Sequence, residues 1–581
     1  MNPAQLLTHF DRISDAPDAI PRLRRFILDL AVRGKLVEQD PRDEPASELL
    51  RRIQKESAHS SMSRDVTAET IELLDRIEIP FKLPTGWVWT RLGEICSKTG
   101  SGSTPRGGRS AYQDHGIPFL RSQNIYNDGL RLHDVAYIDQ QTHQRMEGTV
   151  VKPADLLLNI TGGSIGRCCR VPDDFDQANI SQHVAIVRVV VLGMQDFLHR
   201  LILSPYFQSF IFDEQTGAGR GGLPKNKMDR IPVALPPLAE QQRIVAKVDE
   251  LMALCDRLEV AQAERESRRD RLVASSLNRL NNGADADAFR DHAHFYFNHL
   301  PRLTTKPDHI QQLRQTILNL AIRGRLVPQD QNHEPTSELL KRIQTEKERL
   351  MKEGKIKPSV SLPEISEDVM PFLLPTSWQW VRFGELIIDA DAGWSPKSEG
   401  FPRAADNWGV LKVSAVSWDK FLPEENKQLL PGVMPPKSAQ VRSGDFLISR
   451  ANTSELVAKC VVVGDEPRNL ILSDKIVRLH ISKSCDKKFL CIVNNHAEHA
   501  RSYYAEEASG TSLSMKNVSR AVIYALVIPL PPLAEQERIV AKVEDLMALC
   551  DRLEAQLTTT HTESRRLLEA VLHEALAPAG S

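Results

Sequence analysis

Several features that would classify the protein at once are missing from its sequence. No apolar run approaches the roughly 18 residues that span a bilayer, and residues 1–10 lack the charged and apolar stretches of a signal peptide. The eight cysteines include no C-x-x-C pair, and the adjacent Cys168 and Cys169 are too close together for a usual zinc ligand set. We therefore expect a cytoplasmic protein with reduced thiols and no metal site in this chain.

Motifs of nucleotide-dependent and methyl-transfer catalysis are also missing. The sequence has no G-x-x-x-x-G-K-[ST] phosphate loop, no N/D-P-P-Y/F tetrapeptide of adenine methyltransferases and no carboxylate–lysine cluster of nucleases. Residues 217–222 (GAGRGG) fit G-x-G-x-x-G, but no strand precedes them and Pro224 interrupts the helix that should follow. The isolated pair Asp474 and Lys475 is read as surface. We expect no catalytic residue in this chain.

The charge balance gives no general attraction to nucleic acid. Lysine and arginine number 74 against 76 acidic residues, for a formal net charge of −2 at pH 7, so any DNA contact must depend on local groups. With 581 residues the chain is too long for one hydrophobic core. Its length predicts three or four units.

An internal repeat organises the chain. Residues 23–56 match 313–346 at 22 of 34 positions, residues 83–95 reappear as 374–386, and residues 235–259 reappear as 530–554 with three differences in 25. The stretches between these repeats share only scattered anchors, such as Gly102 with Gly393 and Asp155 with Asp445. A nearly constant helical frame therefore encloses two divergent blocks. We divide the chain into an N-terminal helical segment (1–82), a first block (83–235), a central helical region (236–373), a second block (374–529) and a C-terminal helix (530–581).

The later part of each frame copy has the pattern of a coiled-coil helix. Apolar residues with 3-4 spacing follow each Pro-Pro pair: Ile244, Val248, Leu251, Cys255 and Leu258 in one copy, and Ile539, Val543, Leu546, Cys550, Leu553, Leu557, Leu567 and Val571 in the other. Such a narrow stripe needs a partner helix. Candidate partner faces are Leu23, Ile27, Leu30 and Leu313, Ile317, Leu320. The alternative is an ordinary helix packed on its own block.

Breakers in the earlier part of each frame copy predict two helices. Gly34 and Gly324 are expected to end the first helix in the left-handed conformation, and Pro45 and Pro335 precede the second. If the central region folds back antiparallel, the N-terminal and C-terminal segments form an equivalent pair. Apolar runs at 184–191, 459–463 and 476–481 predict strands inside the blocks. The predicted fold is α+β, with two mixed α/β domains separated by long antiparallel coiled-coil helices in a pseudo-two-fold, circular arrangement.

This organisation resembles the specificity subunits of type I restriction–modification systems. The most specific match is P-P-L-A-E-Q at 236–241 and 531–536, and residues 313–326 also look like that family's helical region. The resemblance implies a prokaryotic, non-catalytic protein whose blocks are target-recognition domains, each reading one half of a split asymmetric DNA sequence. Many members do not begin with a helical segment, and we interpret this chain as a circularly shifted version of the same closed design.

The resemblance also implies partners and cofactors. Double-stranded DNA, two copies of an adenine methyltransferase subunit and a motor nuclease (restriction) subunit are the expected partners, and no membrane is involved. S-adenosylmethionine, ATP and magnesium are expected in the partner subunits and not in this chain. Two alternatives stay open: a coiled-coil scaffold whose blocks bind proteins, and a solitary methyltransferase or nuclease.

Candidate DNA-binding residues lie in loops with donors suited to bases and phosphates. They are Thr104, Arg106, Arg109, Arg121, Asn124, Arg220 and Lys225 in the first block, and Lys397, Arg403, Lys412, Arg450, Asn452, Lys475 and Lys516 in the second. Solvated surface charge is the alternative explanation for each of them. Four tryptophans recur where the blocks begin, and we predict that they anchor the blocks to the frame instead of stacking on bases: Trp87, Trp89, Trp378 and Trp380. Cys255 and Cys550 are expected to be small core residues.

Overall fold

The structure, a computed structural model, describes residues 16–576 apart from 17, 60–80, 214–221, 283–285, 331, 358–361, 405, 418, 466 and 511–514. The chain divides into two compact units: unit 1 comprises Met1–Arg265 and Thr560–Ser581, and unit 2 comprises Glu266–Thr559. The first block belongs to unit 1 and the second block to unit 2. Both unit boundaries fall inside long helices.

Helices form throughout the predicted frame and also within both blocks. In chain order they are α1 Ala19–Val32, α2 Ala46–His59, α3 Gln140–Arg145, α4 Gln195–Leu203, α5 Pro205–Asp213, α6 Lys225–Asp229, α7 Leu238–Asn282, α8 Ala286–Leu303, α9 Pro307–Ile322, α10 Thr336–Lys352, α11 Phe383–Leu386, α12 Lys487–His496, α13 Glu498–Glu507, α14 Arg520–Ala525 and α15 Leu533–Leu576. The long helices α7 and α15 have 45 and 44 residues and contain the two apolar seams. Among the described residues, no helix is both long and apolar enough to cross a membrane.

The first block contains two four-stranded sheets. Its strands are β1 Val88–Arg91, β2 Cys96–Ser101, β3 Ile117–Leu120, β4 Ile125–Tyr126, β5 Gly129–Leu130, β6 Ala136–Ile138, β7 Val150–Val151, β8 Leu156–Asn159, β9 Cys168–Arg170, β10 Ala178–Ile180, β11 Val184–Val189 and β12 Pro232–Leu235. The sheet orders are β6-β3-β10-β7 and β2-β11-β8-β9, while β1 pairs with β12 and β4 with β5. Within the first of these sheets, β3 and β10 run parallel.

The second block repeats this plan with fewer strands among the described residues. Its strands are β13 Gln379–Arg382, β14 Ile387–Ala392, β15 Gly409–Leu411, β16 Asn426–Gln428, β17 Phe446–Ser449, β18 Ala451–Asn452, β19 Cys460–Val462, β20 Leu470–Ile471, β21 Ile476–Ile481, β22 Lys516–Asn517 and β23 Val527–Leu530. The sheet orders are β14-β21-β17-β19 and β16-β15-β20, while β13 pairs with β23 and β18 with β22. Strands β15 and β20 run parallel. The three apolar runs predicted as strands correspond to β11, β19 and β21.

The central strands of the first block are buried on both faces. On one face, Leu158 of β8 belongs to the core that includes Leu198 of α4 and Phe207 of α5. On the other face, Leu157 packs with Leu120 of the sheet that contains the parallel pair. Since neighbouring residues of a strand point to opposite sides, one strand joins the helical layer to the second sheet. The α+β class predicted from the sequence is confirmed.

In unit 1, α1 contacts parts of both long helices. Ile27 shares a core with Ile244 and Val248 near the start of α7. Ala19 packs with Leu568 near the end of α15. The predicted partner of the α7 seam is therefore confirmed as far as Cys255, whereas Leu258, the last predicted seam residue, is exposed. The N-terminal helix does contact the C-terminal helix. The same core also contains Phe197 of the first block, so the seam packs on its own block as well.

In unit 2, α9 makes the equivalent contacts. Leu313 and Ile317 share one core with Ile539 and Cys550 of α15 and with Leu277 of α7. The polar contacts of the two units also match. Lys35 Nζ donates to Leu576 O (2.8 Å) in unit 1, and the equivalent Arg325 Nη1 donates to Asn281 O (2.8 Å) in unit 2. Arg24 Nη2 pairs with Asp256 Oδ1 (2.7 Å) in unit 1, and the equivalent Arg314 Nη2 pairs with Asp551 Oδ1 (2.7 Å) in unit 2. Each unit thus contains one copy of the same helix packing, and both cysteines of the seams are core residues, as predicted.

Two glycines bring the first frame helix close to the entrance of each block. Gly34 and Gly324 have φ of 65° and 69°, the left-handed conformation predicted for them. A Cβ atom at Gly34 would lie 2.4 Å from Cγ of Pro84, and one at Gly324 would lie 2.6 Å from Cγ of Pro375. Both positions therefore need glycine for conformation and for space.

A buried carboxylate joins each block to the frame. In unit 1, Trp87 Nε1 donates to Glu240 Oε2 (3.0 Å) and Gln39 Nε2 donates to Glu240 Oε1 (3.1 Å). Only 1% of Glu240 is exposed. Burial raises the pKa of this carboxyl above its ordinary value, and the hydrogen bonds from Gln39 and Trp87 act against that rise.

The same junction occurs in unit 2. Trp378 Nε1 and Gln329 Nε2 donate to Glu535 Oε1 at 3.0 and 2.6 Å, and burial raises the pKa of Glu535 too. The neighbouring Trp89 and Trp380 pack against Phe81 and Phe372. The prediction that the tryptophans anchor the blocks to the frame is confirmed.

Candidate nucleic-acid interface

Polar side chains gather where the parallel strand pair of the first block ends. Ser181 N donates to Leu120 O (2.9 Å), which aligns the carboxyl ends of β3 and β10. Arg121 therefore leaves β3 at the same edge where Gln182 and His183 follow β10. Both Gln182 and His183 are exposed. Loops at the carboxyl ends of parallel strands commonly form binding sites in other folds.

A glycine lets a second loop reach this edge. Gly102 N donates to Val184 O (3.0 Å) and Ser103 N donates to Ile180 O (3.3 Å). A Cβ atom at Gly102 would lie 1.9 Å from Ile180 O, so a larger residue cannot hold this position without movement of the loop. The close approach places Thr104 beside the residues that follow β10.

A chain of hydrogen bonds connects the exposed side chains at this edge. Thr104 Oγ1 donates to Gln182 Oε1 (2.6 Å), Gln182 Nε2 lies 3.1 Å from His183 Nε2, and His183 Nδ1 lies 2.6 Å from Thr161 Oγ1. We call the five residues Thr104, Arg121, Thr161, Gln182 and His183 the first polar edge. Its amide, hydroxyl and imidazole groups can both donate and accept hydrogen bonds.

The second block forms a corresponding edge after β15 and β20. A Cβ atom at Gly393 would lie 2.0 Å from Ser473 O, the counterpart of the close approach at Gly102. Ser395 Oγ donates to Asp474 Oδ1 (2.6 Å) and accepts a hydrogen bond from Asp474 N (2.9 Å). Lys475 Nζ lies 3.6 Å from Asp474 Oδ2. Ionic groups at this edge take the place of the amide and imidazole of the first.

Short strands bring further donors to this second edge. In the β18–β22 ladder, Asn452 is paired with Lys516. Arg450 N donates to Lys475 O (2.8 Å), which places the residue before β18 next to the segment after β20. We call Ser395, Lys412, Arg450, Asn452, Asp474, Lys475 and Lys516 the second polar edge.

A buried ion pair supports each sheet beneath the edges. Arg188 of β11 binds both carboxylate oxygens of Asp155, at 2.6 and 2.7 Å, and only 1% of the Asp155 side chain is exposed. In the second block, Arg478 of β21 pairs with Asp445 at 2.8 Å. The Asp155 and Asp445 anchors shared by the two sequences are therefore explained by an arginine on the neighbouring strand.

Comparison with known proteins shows which family the chain is similar to. The family model described as type I restriction modification DNA specificity domain matches residues 84–265. The specificity subunit of the type I restriction enzyme EcoEI from Escherichia coli is 34% identical over 570 residues, which cover 96% of this chain and 94% of that protein. The chain belongs to the type I restriction enzyme specificity subunits.

Two other proteins show the same similarity at lower identity. The specificity subunit of EcoAI from Escherichia coli is 28% identical over 589 residues, covering 96% of this chain and 94% of that protein. The crystal structure of the HsdS subunit from Thermoanaerobacter tengcongensis is 20% identical, with a TM-score of 0.45, and covers 86% of this chain and 98% of that one. The match to the EcoEI subunit confirms the family predicted from the sequence.

Membership of this family decides between the functions that the sequence left open. The relatives are specificity subunits, the non-catalytic class that the sequence predicted, and not methyltransferase or nuclease subunits. The family model concerns DNA specificity, which favours DNA sequence recognition over the scaffold with protein-binding blocks. Among the described residues, no group of three or more histidine, cysteine, aspartate or glutamate side chains could hold a metal ion.

Seven of the fourteen candidate DNA-binding residues predicted from this sequence lie in the two polar edges. They are Thr104, Arg121, Lys412, Arg450, Asn452, Lys475 and Lys516. Four of the seven also have internal partners: Arg121 with Asp134 O (3.2 Å), Lys412 with Glu425 (3.5 Å), Asn452 with Ser417 Oγ (3.0 Å) and Lys516 with Gly510 O (2.8 Å). The role of all seven in DNA binding stays a prediction. The sequence reasoning missed Thr161, Gln182, His183 and Ser395 and set Asp474 aside as surface. The signal that could have found them is the alignment of Ser181 with Ser473, which lie one and two residues after the strands β10 and β20 that pair in parallel.

The other predicted residues lie elsewhere or are used internally. Asn124 is buried, accepts a hydrogen bond from Arg121 N and donates to Arg131 O. Lys225 Nζ donates to Thr99 Oγ1 and to Asp229 Oδ2. Arg106 and Lys397 are exposed, and the guanidinium of Arg403 donates to the backbone oxygens of residues 404 and 407. Arg220 and the side chain of Arg109 lie outside the described residues.

Proposed function

We propose that this specificity subunit selects a bipartite, asymmetric DNA target, with the first block reading one half-site and the second block reading the other. The observation that carries the proposal is that equivalent frame contacts hold two blocks whose polar edges have the same backbone plan and different side chains. A difference of this kind is what two unlike half-sites require, since direct readout depends on the donors and acceptors presented to the base edges.

The polar edges supply the types of group that such readout uses. Arginine, lysine and asparagine are the common partners of guanine and adenine in the major groove, and arginine and lysine also contact phosphates. The net charge of −2 is not an obstacle, because partner subunits can neutralise part of the phosphate charge. Solvated surface charge predicts no common location for these residues, whereas seven of them share the two edges.

We also assign partners on the basis of the duplicated frame. Two equal copies of the frame offer two similar surfaces, which suits two copies of an adenine methyltransferase subunit, joined in the full complex by a motor nuclease subunit. S-adenosylmethionine, ATP and magnesium belong to those partners in this proposal. In this proposal the helical frame, and not the blocks, fixes the length of the gap between the half-sites.

Genome-wide mapping of methylated adenines tests this proposal. The full chain is expressed with its methyltransferase partner in a host without other adenine methylation, and the methyltransferase alone serves as the control. We expect one bipartite motif with a gap of fixed length. Exchange of residues 83–234 for the corresponding block of a relative should change one half-site and leave the other. A contiguous motif, or methylation that does not depend on this chain, would contradict the proposal.

A further inference from the structure

One position in each polar edge combines solvent exposure with a fixed side chain. Gln182 and Asp474 occupy equivalent positions, each following a buried serine at the end of a parallel strand. Both are exposed, yet a hydroxyl of the glycine-initiated loop holds each of them at 2.6 Å, Thr104 in one block and Ser395 in the other.

Such preorganisation has a use in binding. An exposed glutamine or aspartate normally samples several rotamers, and ordering it at an interface costs free energy. The hydrogen bonds from Thr104 and Ser395 meet that cost before DNA binds. Gly102 and Gly393 make these bonds possible, because only glycine allows the loop to approach the strand end so closely.

The residues that follow these two positions, His183 and Lys475, are also accessible to solvent. His183 is exposed, and 43% of the Lys475 side chain is accessible beside Asp474. The ion pair at 3.6 Å between Lys475 and Asp474 is a surface pair, which contributes little to stability. The Lys475 ammonium and the Asp474 carboxylate therefore stay available for an external hydrogen-bond partner, whereas both ring nitrogens of His183 belong to the hydrogen-bond chain that fixes Gln182.

The two positions differ in the hydrogen bonds that they can make. The Gln182 amide donates and accepts, whereas the Asp474 carboxylate only accepts and the Lys475 ammonium only donates. In the major groove an amide matches N6 and N7 of adenine, a carboxylate accepts from N4 of cytosine, and an ammonium donates to O6 and N7 of guanine.

We propose that residues 182–183 and 474–475 are the specificity-determining positions of the two half-sites. Gln182 selects an adenine in the half-site of the first block. Asp474 and Lys475 select a cytosine and a guanine in the half-site of the second block. This inference rests on the proposed function and adds the residues and the base types.

Four single substitutions in the full chain, expressed with the methyltransferase partner, test the inference. Asp474→Asn adds a donor, and Gln182→Glu removes one, with little change in size. The matched controls are Asp465→Asn and Asp174→Asn, at exposed positions that precede β20 and β10 and therefore lie on the amino-terminal side of the same strands. Methylated adenines are mapped for each complex. If a complex assembles without methylating, duplexes that it selects from a randomised library provide the motif.

The expected results separate this inference from the proposed function. Asp474→Asn should lower discrimination at one position of the second half-site by about 5- to 100-fold, and Gln182→Glu should do the same in the first half-site only. Both controls should keep the parental motif. A bipartite parental motif that neither substitution alters would overturn this inference and leave the proposed function intact. A parental complex without a bipartite motif would overturn both.

Discussion

Replacing Trp87 with phenylalanine tests the buried junction between the first block and the frame. The substitution keeps an aromatic ring near Phe197, 6.4 Å away between ring centroids, and removes the Nε1–H that donates to Glu240 at 3.0 Å. Glu240 keeps Gln39 as a donor, but its burial leaves little room for a replacement. A hydrogen bond to a charged group contributes about 1.5 to 3 kcal/mol, so Trp87→Phe should destabilise the junction by about that amount in addition to the loss of ring volume.

Trp89 provides a control for the lost volume. Its Nε1 is buried and has no hydrogen-bond partner among the described residues, so Trp89→Phe removes part of the ring without removing a protein hydrogen bond. Hydrogen–deuterium exchange of the full chain measures local opening at residues 83–95 and 232–245 without requiring the whole chain to unfold in one step. We expect amides there to exchange about 10- to 100-fold faster in Trp87→Phe than in Trp89→Phe.

The destabilisation of the junction by Trp87→Phe should increase as the pH rises. Burial raises the pKa of Glu240 above 4.5 in the folded protein. The stability from a raised pKa is complete below the unfolded-state pKa and is lost as pH rises through the folded-state pKa. Losing the Trp87 donor raises the folded-state pKa further, so the gap between variant and parent should widen from about pH 4.5 towards neutrality. Equal exchange in the two tryptophan variants, or a gap that narrows with rising pH, would refute this account of the junction.

Three further substitutions test which residues matter strongly for DNA recognition or for the free energy of unfolding and which matter little. Gly102→Ala should abolish recognition of one half-site while the chain stays folded, because the loop must leave the strand end. The control Gly100→Ala, where a Cβ meets nothing within 4 Å, should keep recognition of both half-sites. Equal methylation by the two variants would contradict the reasoning. Arg188→Met should destabilise the first block by about 3 to 5 kcal/mol in chemical unfolding, because the buried Asp155 loses its ion-pair partner and keeps only the backbone donor of Lys152. A change below about 1 kcal/mol would show that the pair is dispensable. Arg314→Ala should cost less than about 1 kcal/mol in the same assay, since its carboxylate partners are largely exposed.

The frame could be predicted because its determinants are local and occur twice. The left-handed ends at Gly34 and Gly324 follow from glycine after an apolar helical face, and the tryptophans at the block entrances are anchors because they recur in otherwise divergent sequences. The partner of Glu240 was not predicted. The first turn of a helix favours a glutamate through the helix dipole alone, whereas Trp87 and Gln39 reach Glu240 from segments about 150 and 200 residues away in sequence.

The polar edges were harder to predict because long-range pairing creates them. Thr104 and Arg121 could be picked out as loop residues, but their neighbours Gln182 and His183 depend on the parallel pairing of β3 with β10, which no local pattern indicates. Asn124 shows the reverse case. Its residue type suits base contacts, but its amide closes the turn through Arg131, and the direction of a side chain in a turn depends on backbone geometry that the sequence pattern does not specify.

In the proposed function, one backbone plan serves two different DNA half-sites. Gly102 and Gly393 are constrained by the strand end that their loops approach, and Ser181 and Ser473 are buried, so these positions have little freedom to vary. The residues that follow the serines are exposed or partly exposed, and their side-chain contacts lie within the edge and not in the core. If the edges contact DNA as proposed, substitution there changes the hydrogen bonds offered to DNA at little cost to the fold. Variation confined to these positions would therefore change the target of a specificity subunit and leave its frame contacts unaltered.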